Sequence, residues 1–337
     1  MARMFGVDMG TYNMKLYDHS TNQILHEKNM IAIRGKEEIL AFGDLAYEMY
    51  EKTPEHIKIY SPIKQGVIAE VNHMESLFHC FYQKLAGRRL FKSSKFCLAL
   101  PFDITEVEKR AFLDVIADAK VHAREIYLID RPIADAVGIG LDANAAGGNM
   151  MVNIGADHTE ISVISLGGIV TSKSVPSGGN HLNEAIQAII RKQENIHIGD
   201  KTAEQLKTLI GDASGKSDEE LKIYGRNVIT GLPVGKIVPA DYVYEAICEV
   251  LKSIAEQIRF VIDKTPPEIA NDIMKNGIYV TGGTAELTNI GSFLAKELKM
   301  KVNLAEEPSQ SVIRGISQII SNPQLKKLMY VPYEKTY

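Results

Sequence analysis

Asp8, Gly10 and Thr11, in the run Val7-Asp8-Met9-Gly10-Thr11, are spaced to meet a metal ion and a phosphate at the end of one strand. A carboxylate at a strand end can hold magnesium through water, because that ion keeps several waters and prefers oxygen ligands. Gly10 lets the backbone turn tightly beside a phosphate, and Thr11 adds N–H and O–H donors for its oxygens. Lys15, on the returning strand, could reach a phosphate as a point charge. A second turn of the same form, Val152-Asn153-Ile154-Gly155-Ala156, stands roughly one domain further on, with Asn153 in place of the acid. An amide there still hydrogen-bonds at the metal position but brings no charge. A lone Asp-x-Gly-Thr is usually an ordinary hairpin, since Asp and Gly are common turn residues. The second copy and a third glycine turn at Gly282-Gly283 raise the phosphate reading above it.

The elements that must position these turns alternate in two similar blocks. The first opens with strands near residues 4 to 8, 13 to 18 and 24 to 29, then a smaller stretch to about 64 and a helix near 72 to 86. Strand 96–100 meets Pro101, and a helix begins at Thr105, where Thr105-Glu106-Val107-Glu108 has the form of a capping box. The second block predicts strands near 149 to 154, 159 to 165 and 169 to 175, with Gly167-Gly168 as the tight turn between the later two. Ile247, Val250, Leu251, Ile254, Ile258 and Val261 keep helical spacing over about 243 to 263, and Thr265-Pro266-Pro267 stops that helix. Residues 278–285 read as a buried strand running into a glycine turn and a helix, whose free N–H groups make a seat for a nucleotide. As a lone signal that join is common in any α/β sheet.

At 337 residues the chain exceeds what one core normally organises, so two domains are expected. With 45% hydrophobic and 24% charged residues it is an ordinary soluble globule, and a net charge of −4 offers no general attraction for nucleic acid. Cys80, Cys97 and Cys248 are odd in number and far apart, which suggests neither a disulfide scaffold nor a zinc site and fits a reducing cytoplasm. Residues 1–5 lead straight into a strand with no signal-peptide core, and no apolar run approaches the ~20 residues of a membrane span. His73, His79 and Cys80 fall at spacings that do not share one helix face, so metal binding is not expected there.

Four longer stretches carry a resemblance. Residues 105–110 (TEVEKR), 123–128 (AREIYL), 163–170 (VISLGGIV) and 264–268 (KTPPE), in that order, resemble the bacterial actin homologue MreB, and the resemblance covers essentially the whole chain. It implies an α/β, actin-like two-lobed fold of the actin, hexokinase and heat-shock ATPase superfamily, with ATP and magnesium in a cleft between the lobes. It also implies filaments on the inner face of the cell membrane and a role in cell shape, with itself, the membrane surface and cell-shape or wall-synthesis proteins as partners. The first lobe would span 1–140, with a small subdomain at about 31–64, completed by about 313–337; the second would span 141–312, with a small subdomain at about 181–242. Asp8, Gly10, Thr11 and Asn13 match the family's first phosphate loop, Gly155 and Thr159 the second, Gly178 and Gly179 a glycine pair near the nucleotide, and Gly282 and Gly283 the adenosine turn. Glu204 and Lys207 resemble the stretch beside ribose and base, although a solvated helix face would read the same way.

The departures bear on catalysis. Where the family usually reads Glu-Glu-Pro this chain has Asp130-Arg131-Pro132, so Arg131 stands at the position of the glutamate that orients the attacking water. Arginine is always protonated and accepts no hydrogen bond; Arg131 could instead hold a phosphate, or pair with Asp135 one turn later. In the second loop the family's Asp-Ile-Gly-Gly-Gly-Thr-Thr-Glu has become Asn153-Ile154-Gly155-Ala156-Asp157-His158-Thr159-Glu160. Asp157 could bind magnesium in place of the lost acid, or repel the γ-phosphate. Residues 87–92 (GRRLFK) place Leu90 and Phe91 in a basic loop where some family members insert into the bilayer; two apolar residues capping the core would look the same. The expectation is a membrane-associated filament protein that is at most a weak ATPase. The alternatives are a competent ATPase using Asp130 or Asp157 in new roles, and a non-polymerising regulatory partner.

Overall fold

The computed structural model describes residues 3–35, 38–87 and 93–332, and divides into two units, each with its own sheet and core. The first comprises residues 1–145, 166–169 and 310–337, and the second residues 146–165 and 170–309.

In the first unit β1 (Arg3–Met9), β2 (Asn13–Asp18), β3 (Gln23–Lys28), β4 (Ser94–Leu100) and β5 (Ala123–Asp130) form a sheet in the order β5-β4-β1-β2-β3. β1 runs antiparallel to β2 and parallel to β4, so it is central, and from Phe5 to Met9 every residue is buried. Near-continuous burial is what strands covered on both faces require. Helices α1 (Val71–Ala86), α2 (Glu106–Asp118) and α3 (Arg131–Gly138) follow in chain order. Phe5, Phe78, Phe81, Phe96 and Phe112 meet in the core, with Phe5 stacked on Phe96 at 5.6 Å. The capping box at the start of α2 forms as the sequence predicts: the Glu108 N–H donates to Thr105 Oγ1 while Thr105 N–H donates to Glu108 Oε2 at 2.7 Å. A second small sheet pairs Ile31–Arg34 with Glu38–Phe42 and with Ile57–Tyr60, beginning after the two residues that follow β3.

In the second unit β6 (Asn149–Ile154), β7 (Thr159–Ser165), β8 (Gly168–Val175), β9 (Ile278–Thr281) and β10 (Val302–Leu304) form a sheet in the order β8-β7-β6-β9-β10. Its core is aliphatic, filled by Ile, Val and Leu of the sheet and of helices α4 (Gly179–Glu194), α5 (Asp200–Ile210) and α6 (Ala240–Lys264). The α6 stripe Ile247, Leu251, Ile254, Ile258 and Val261 is buried, while Val250 is only partly so. Three local expectations are corrected. The β7–β8 turn centres on Leu166-Gly167, with φ of 53° and 75°, and Gly168 already lies in β8; a type I′ hairpin loop takes positive φ at its two central residues, and one more glycine is not required. Pro267 does not merely stop α6 but opens α7 (Pro267–Asn276), since a proline fits the first turn of a helix. The turn after β9 leads into a short 3-10 helix, Gly283–Glu286, and the α-helix α8 (Ile290–Leu298) starts only later.

The chain then returns to the first unit as α9 (Ser311–Ser321), which packs on α3 through two glycines. A Cβ on Gly138 would stand 1.8 Å from the Ser311 carbonyl oxygen and one on Gly315 would stand 1.7 Å from that of Ala134, so only glycine permits this crossing. No helix among the described residues is long and apolar enough to cross a membrane.

Candidate functional site

In the first unit Asp8 sits near the end of β1 with Lys15 opposite it in the antiparallel register. Lys15 Nζ donates to Asp8 Oδ2 at 3.1 Å, and both side chains are buried. Burial by itself would push the Asp8 carboxyl up; Lys15 and then Arg131 outweigh it and hold the group below the ordinary carboxylate value. Asp8 is therefore an anion at neutral pH, the form a magnesium ion needs. The Gly10–Asn13 turn is closed by the Gly10 N–H donating to the Asn13 carbonyl at 3.1 Å, and a Cβ on Gly10 would stand 2.7 Å from that same oxygen. Thr11 is half-buried in this turn.

Asp130 ends β5 and is the N-cap of α3, whose first residue is Arg131 and second is Pro132. Burial pushes the Asp130 carboxyl up, against a hydrogen bond from the Tyr330 hydroxyl at 3.0 Å and the charge of Lys109. Tyr330 reaches it because the chain beyond α9 pairs with the edge of the sheet, with Leu128 and Tyr330 exchanging two backbone hydrogen bonds. No sequence signal marked Tyr330, which lies 200 residues from Asp130. Asp135 is fully buried in α3.

The second unit gathers its predicted residues into one network. The Gly155 N–H donates to the His158 carbonyl at 2.8 Å, closing the loop between β6 and β7. The Gly155 carbonyl accepts from the Gly179 N–H at 3.0 Å and from Thr284 Oγ1 at 2.7 Å, so the second loop, the start of α4 and the turn after β9 meet on a single oxygen. A Cβ on Gly178 would stand 2.6 Å from the carbonyls of both Gly155 and Ala156, and one on Gly282, where φ is 87°, 2.4 Å from that of Ile154. Gly283 has open space where a Cβ would stand. Asn153 sits in β6, directly paired with Thr281 of β9, and a Cβ on Gly282 would lie 2.7 Å from its Oδ1. Asp157 accepts from Asn180 Nδ2 at 2.6 Å, which fastens it to the first turn of α4. Thr159, fully buried, donates to the Ser177 carbonyl at 2.7 Å.

Glu204 and Lys207 are not a solvated pair. Lys207 is buried and donates to Glu204 Oε2 at 2.7 Å and to the Gly179 carbonyl at 3.0 Å, while Asn183 Nδ2 donates to the same Glu204 oxygen at 2.8 Å. Burial pulls the Lys207 ammonium down, and Glu204 opposes that. Asn180, Asn183 and Thr284 were not singled out from the sequence. Polar residues near glycine turns are too common to flag without the contacts that tertiary packing makes. Leu90 and Phe91 lie outside the described residues. His73 bonds Glu70, and His79 bonds the Ala119 carbonyl and Gln83, all in or beside α1.

Magnesium fits the first unit's donor in kind: one buried anionic carboxylate, Asp8, suits an ion bound through one or two protein groups with phosphate and water completing the shell. At Gly10 in the first unit, and at Gly178 and Gly282 in the second, neighbouring backbone leaves no room for a side chain, as a close backbone approach to phosphate requires.

These two sheets, with their strand order and paired hairpin turns, define an actin-like protein. The MamK double helical filament structure matches with a TM-score of 0.77 over 96% of this chain and 99% of that one, at 18% identity, which speaks to the fold alone. Sequence then gives the family: residues 2–328 match the model for MreB/Mbl protein, and the chain belongs to that family. The cell shape-determining protein Mbl of Bacillus cereus is 34% identical over 323 residues, covering 95% of this chain and 96% of that protein. The cell shape-determining protein MreB of Escherichia coli is 35% identical over 316 residues, covering 92% and 90%. The crystal structure of MreB 5 of Spiroplasma citri bound to AMPPNP matches with a TM-score of 0.91 at 28% identity, over 97% of this chain and 98% of that one.

Proposed function

We propose that this member of the MreB/Mbl family is an ATP-binding, self-assembling cytoskeletal protein at the inner face of the cell membrane, and that it hydrolyses ATP weakly. The observation that carries the reading is the pairing of an intact first loop with an altered catalytic position. Asp8 is buried and anionic beside the Gly10–Asn13 turn, while the helix-opening residue where the family carries a water-orienting glutamate is Arg131. The likeness to MreB 5 bound to AMPPNP supports the nucleotide, and the cell shape-determining relatives support the cytoskeletal role.

In this reading Asp8 would hold magnesium, which when bound would neutralise phosphate charge, and Asn153 would offer only an uncharged oxygen. Gly10, Thr11, Asn13, Gly155, Gly178 and Gly179 let backbone donors approach the phosphates, and Lys15 supplies positive charge. Glu204, Lys207, Gly282 and Gly283 meet the nucleoside. Asp157, which accepts from Asn180, keeps acceptor capacity for magnesium or would repel the γ-phosphate. A competent ATPase using Asp130 as base is less well supported, since the Tyr330 hydroxyl already donates to that carboxylate. Leu90 and Phe91, with the neighbouring Arg88, Arg89 and Lys92, give the chain its means of meeting anionic lipid.

The test is thermal unfolding with and without ATP and magnesium, together with the nucleotide content of freshly purified protein. Ligand at ~100 times its dissociation constant stabilises by about 2.7 kcal/mol. No movement of Tm across millimolar ATP with magnesium would reject nucleotide binding, and filaments in electron micrographs separate this reading from that of a non-polymerising regulatory partner.

A further inference from the structure

Asn29 stands where β3 has ended and the small sheet has not yet begun, and it is completely buried. Its backbone N–H donates to the Tyr12 carbonyl at 2.9 Å, and its side-chain Nδ2 donates to the Gly10 carbonyl at 2.8 Å. One residue thus holds two of the carbonyl oxygens of the Gly10–Asn13 turn. Because a trans peptide is planar, with its C=O and the following N–H pointing in opposite directions, fixing the Gly10 and Tyr12 oxygens also fixes the N–H groups of Thr11 and Asn13 on the far side of the same two planes. Backbone N–H groups that a turn directs away from its held carbonyls are donors an anion can take.

The outer side of the turn is held as well. The Lys28 ammonium lies 3.9 Å from the centroid of the Tyr12 ring and 5.3 Å from that of Tyr47, whose hydroxyl accepts from the Tyr12 hydroxyl at 3.2 Å. Tyr47 lies on the helix Asp44–Met49 and the Gly43 N–H donates to the Met30 carbonyl at 2.9 Å, so this side of the turn is tied to the small sheet and its helix.

We propose that Asn29 is a positioning residue for phosphate: it sets the peptide planes of the first loop so that the Thr11 and Asn13 amides face a triphosphate or diphosphate. The proposal rests on the reading of this loop as a phosphate site. An aspartate at 29 would keep the backbone bond but turn a carboxylate, which cannot donate, against the Gly10 oxygen; an alanine would leave that oxygen without its donor; a serine would keep a shorter donor.

Equilibrium binding of ATP with magnesium and of adenosine is measured on the wild-type full chain and on Asn29→Asp, Asn29→Ala and Asn29→Ser, with the Tm of each ligand-free protein recorded. The expected result is a rise in the ATP dissociation constant of about ten-fold for Asn29→Asp, which corresponds to the loss of about one hydrogen bond's worth of alignment, a smaller rise for Asn29→Ser, and an unchanged adenosine constant. Equal weakening of ATP and adenosine would assign Asn29 a structural role only and overturn the proposal, as would wild-type ATP affinity in the folded Asn29→Asp and Asn29→Ala proteins. Should the variants not fold, amide exchange on the wild-type chain decides: ATP must slow exchange at Thr11 and Asn13, and unchanged exchange at both while ATP is bound overturns the proposal. If the wild-type chain binds adenosine but gains nothing from the phosphates, the phosphate reading itself falls, and with it the role of Asn29.

Discussion

Lys15 Nζ lies 3.1 Å from Asp8 Oδ2, directly across the β1–β2 pair, so the cation that the sequence offers to phosphate and the anion that it offers to magnesium are partners. Removing one partner of a buried pair leaves an uncompensated charge, a loss of about 3–5 kcal/mol. Lys15→Met is therefore expected to destabilise the ligand-free protein substantially, and Asp8→Asn in the same chain to recover part of the loss. The pH dependence follows from the lowered carboxyl of Asp8. In the wild type its contribution is present above its unfolded value near 3.8 and is lost as pH falls through the lower folded value. In Lys15→Met burial dominates and the carboxyl moves up, so the deficit shrinks on acidification from pH 7 towards 4. Urea unfolding at several pH values checks both signs.

Asp130 titrates in the opposite sense. Burial raises its carboxyl, so its ionisation subtracts stability as pH rises from 3.8 through the folded value. Tyr330→Phe removes the donor that opposes this shift and is expected to raise the carboxyl further, to cost about 1 kcal/mol because the site is partly exposed, and to loosen the Leu128–Tyr330 pairing. Carboxyl titration by NMR in the two proteins would show a downward or absent shift if the hydroxyl does not hold Asp130.

Lys207 joins Glu204 to the start of α4 through the Gly179 carbonyl. Lys207→Ala and Glu204→Gln, each destabilising by about 1–3 kcal/mol, are expected to be strongly non-additive in a double-mutant cycle. Because burial lowers the Lys207 ammonium, the wild type gains stability relative to Lys207→Met as pH rises from the folded value to its ordinary 10.5. Additive single effects would mean that the pair does not act as a unit.

In the proposed site an arginine at 131 accepts no hydrogen bond from water, and an amide at 153 would bring no charge to a metal ion. Introducing both acids, with Arg131→Glu and Asn153→Asp, is expected to raise phosphate release by about 100-fold, the lower end of what a positioned general base contributes. Steady-state phosphate release by the folded double variant, alongside the wild type, measures this; no increase rejects the proposal that these two residues weaken hydrolysis.

Replacing Leu90 and Phe91 with Ser is expected to reduce sedimentation with anionic vesicles while leaving Tm unchanged, since lipid contact requires exposed side chains. A fall in Tm of several degrees would place them in the core instead.

The sequence by itself determined the strands and the two turns. Alternation, apolar runs and turn residues are local signals, and β6 and β7 span residues 149–154 and 159–165 as read from those signals alone. The same holds for the Thr105 cap, whose chemistry is complete within four residues. Where a boundary depended on a choice between equivalent local options, at Gly167-Gly168 or at Pro266-Pro267, residue type could not make it; hairpin twist and helix-start geometry did.

The partners of the charged groups were decided by tertiary structure. Lys207 reads as a surface lysine on an amphipathic helix, and only the packing of α5 beside α4 buries it. Tyr330 meets Asp130, and Thr284 meets the Gly155 carbonyl, over separations of 200 and 129 residues. Asn29 carries no motif at all. A hydrogen bond is made in space rather than along the chain, so a residue whose role is to hold another's carbonyl becomes visible only when the sheet has brought the two together.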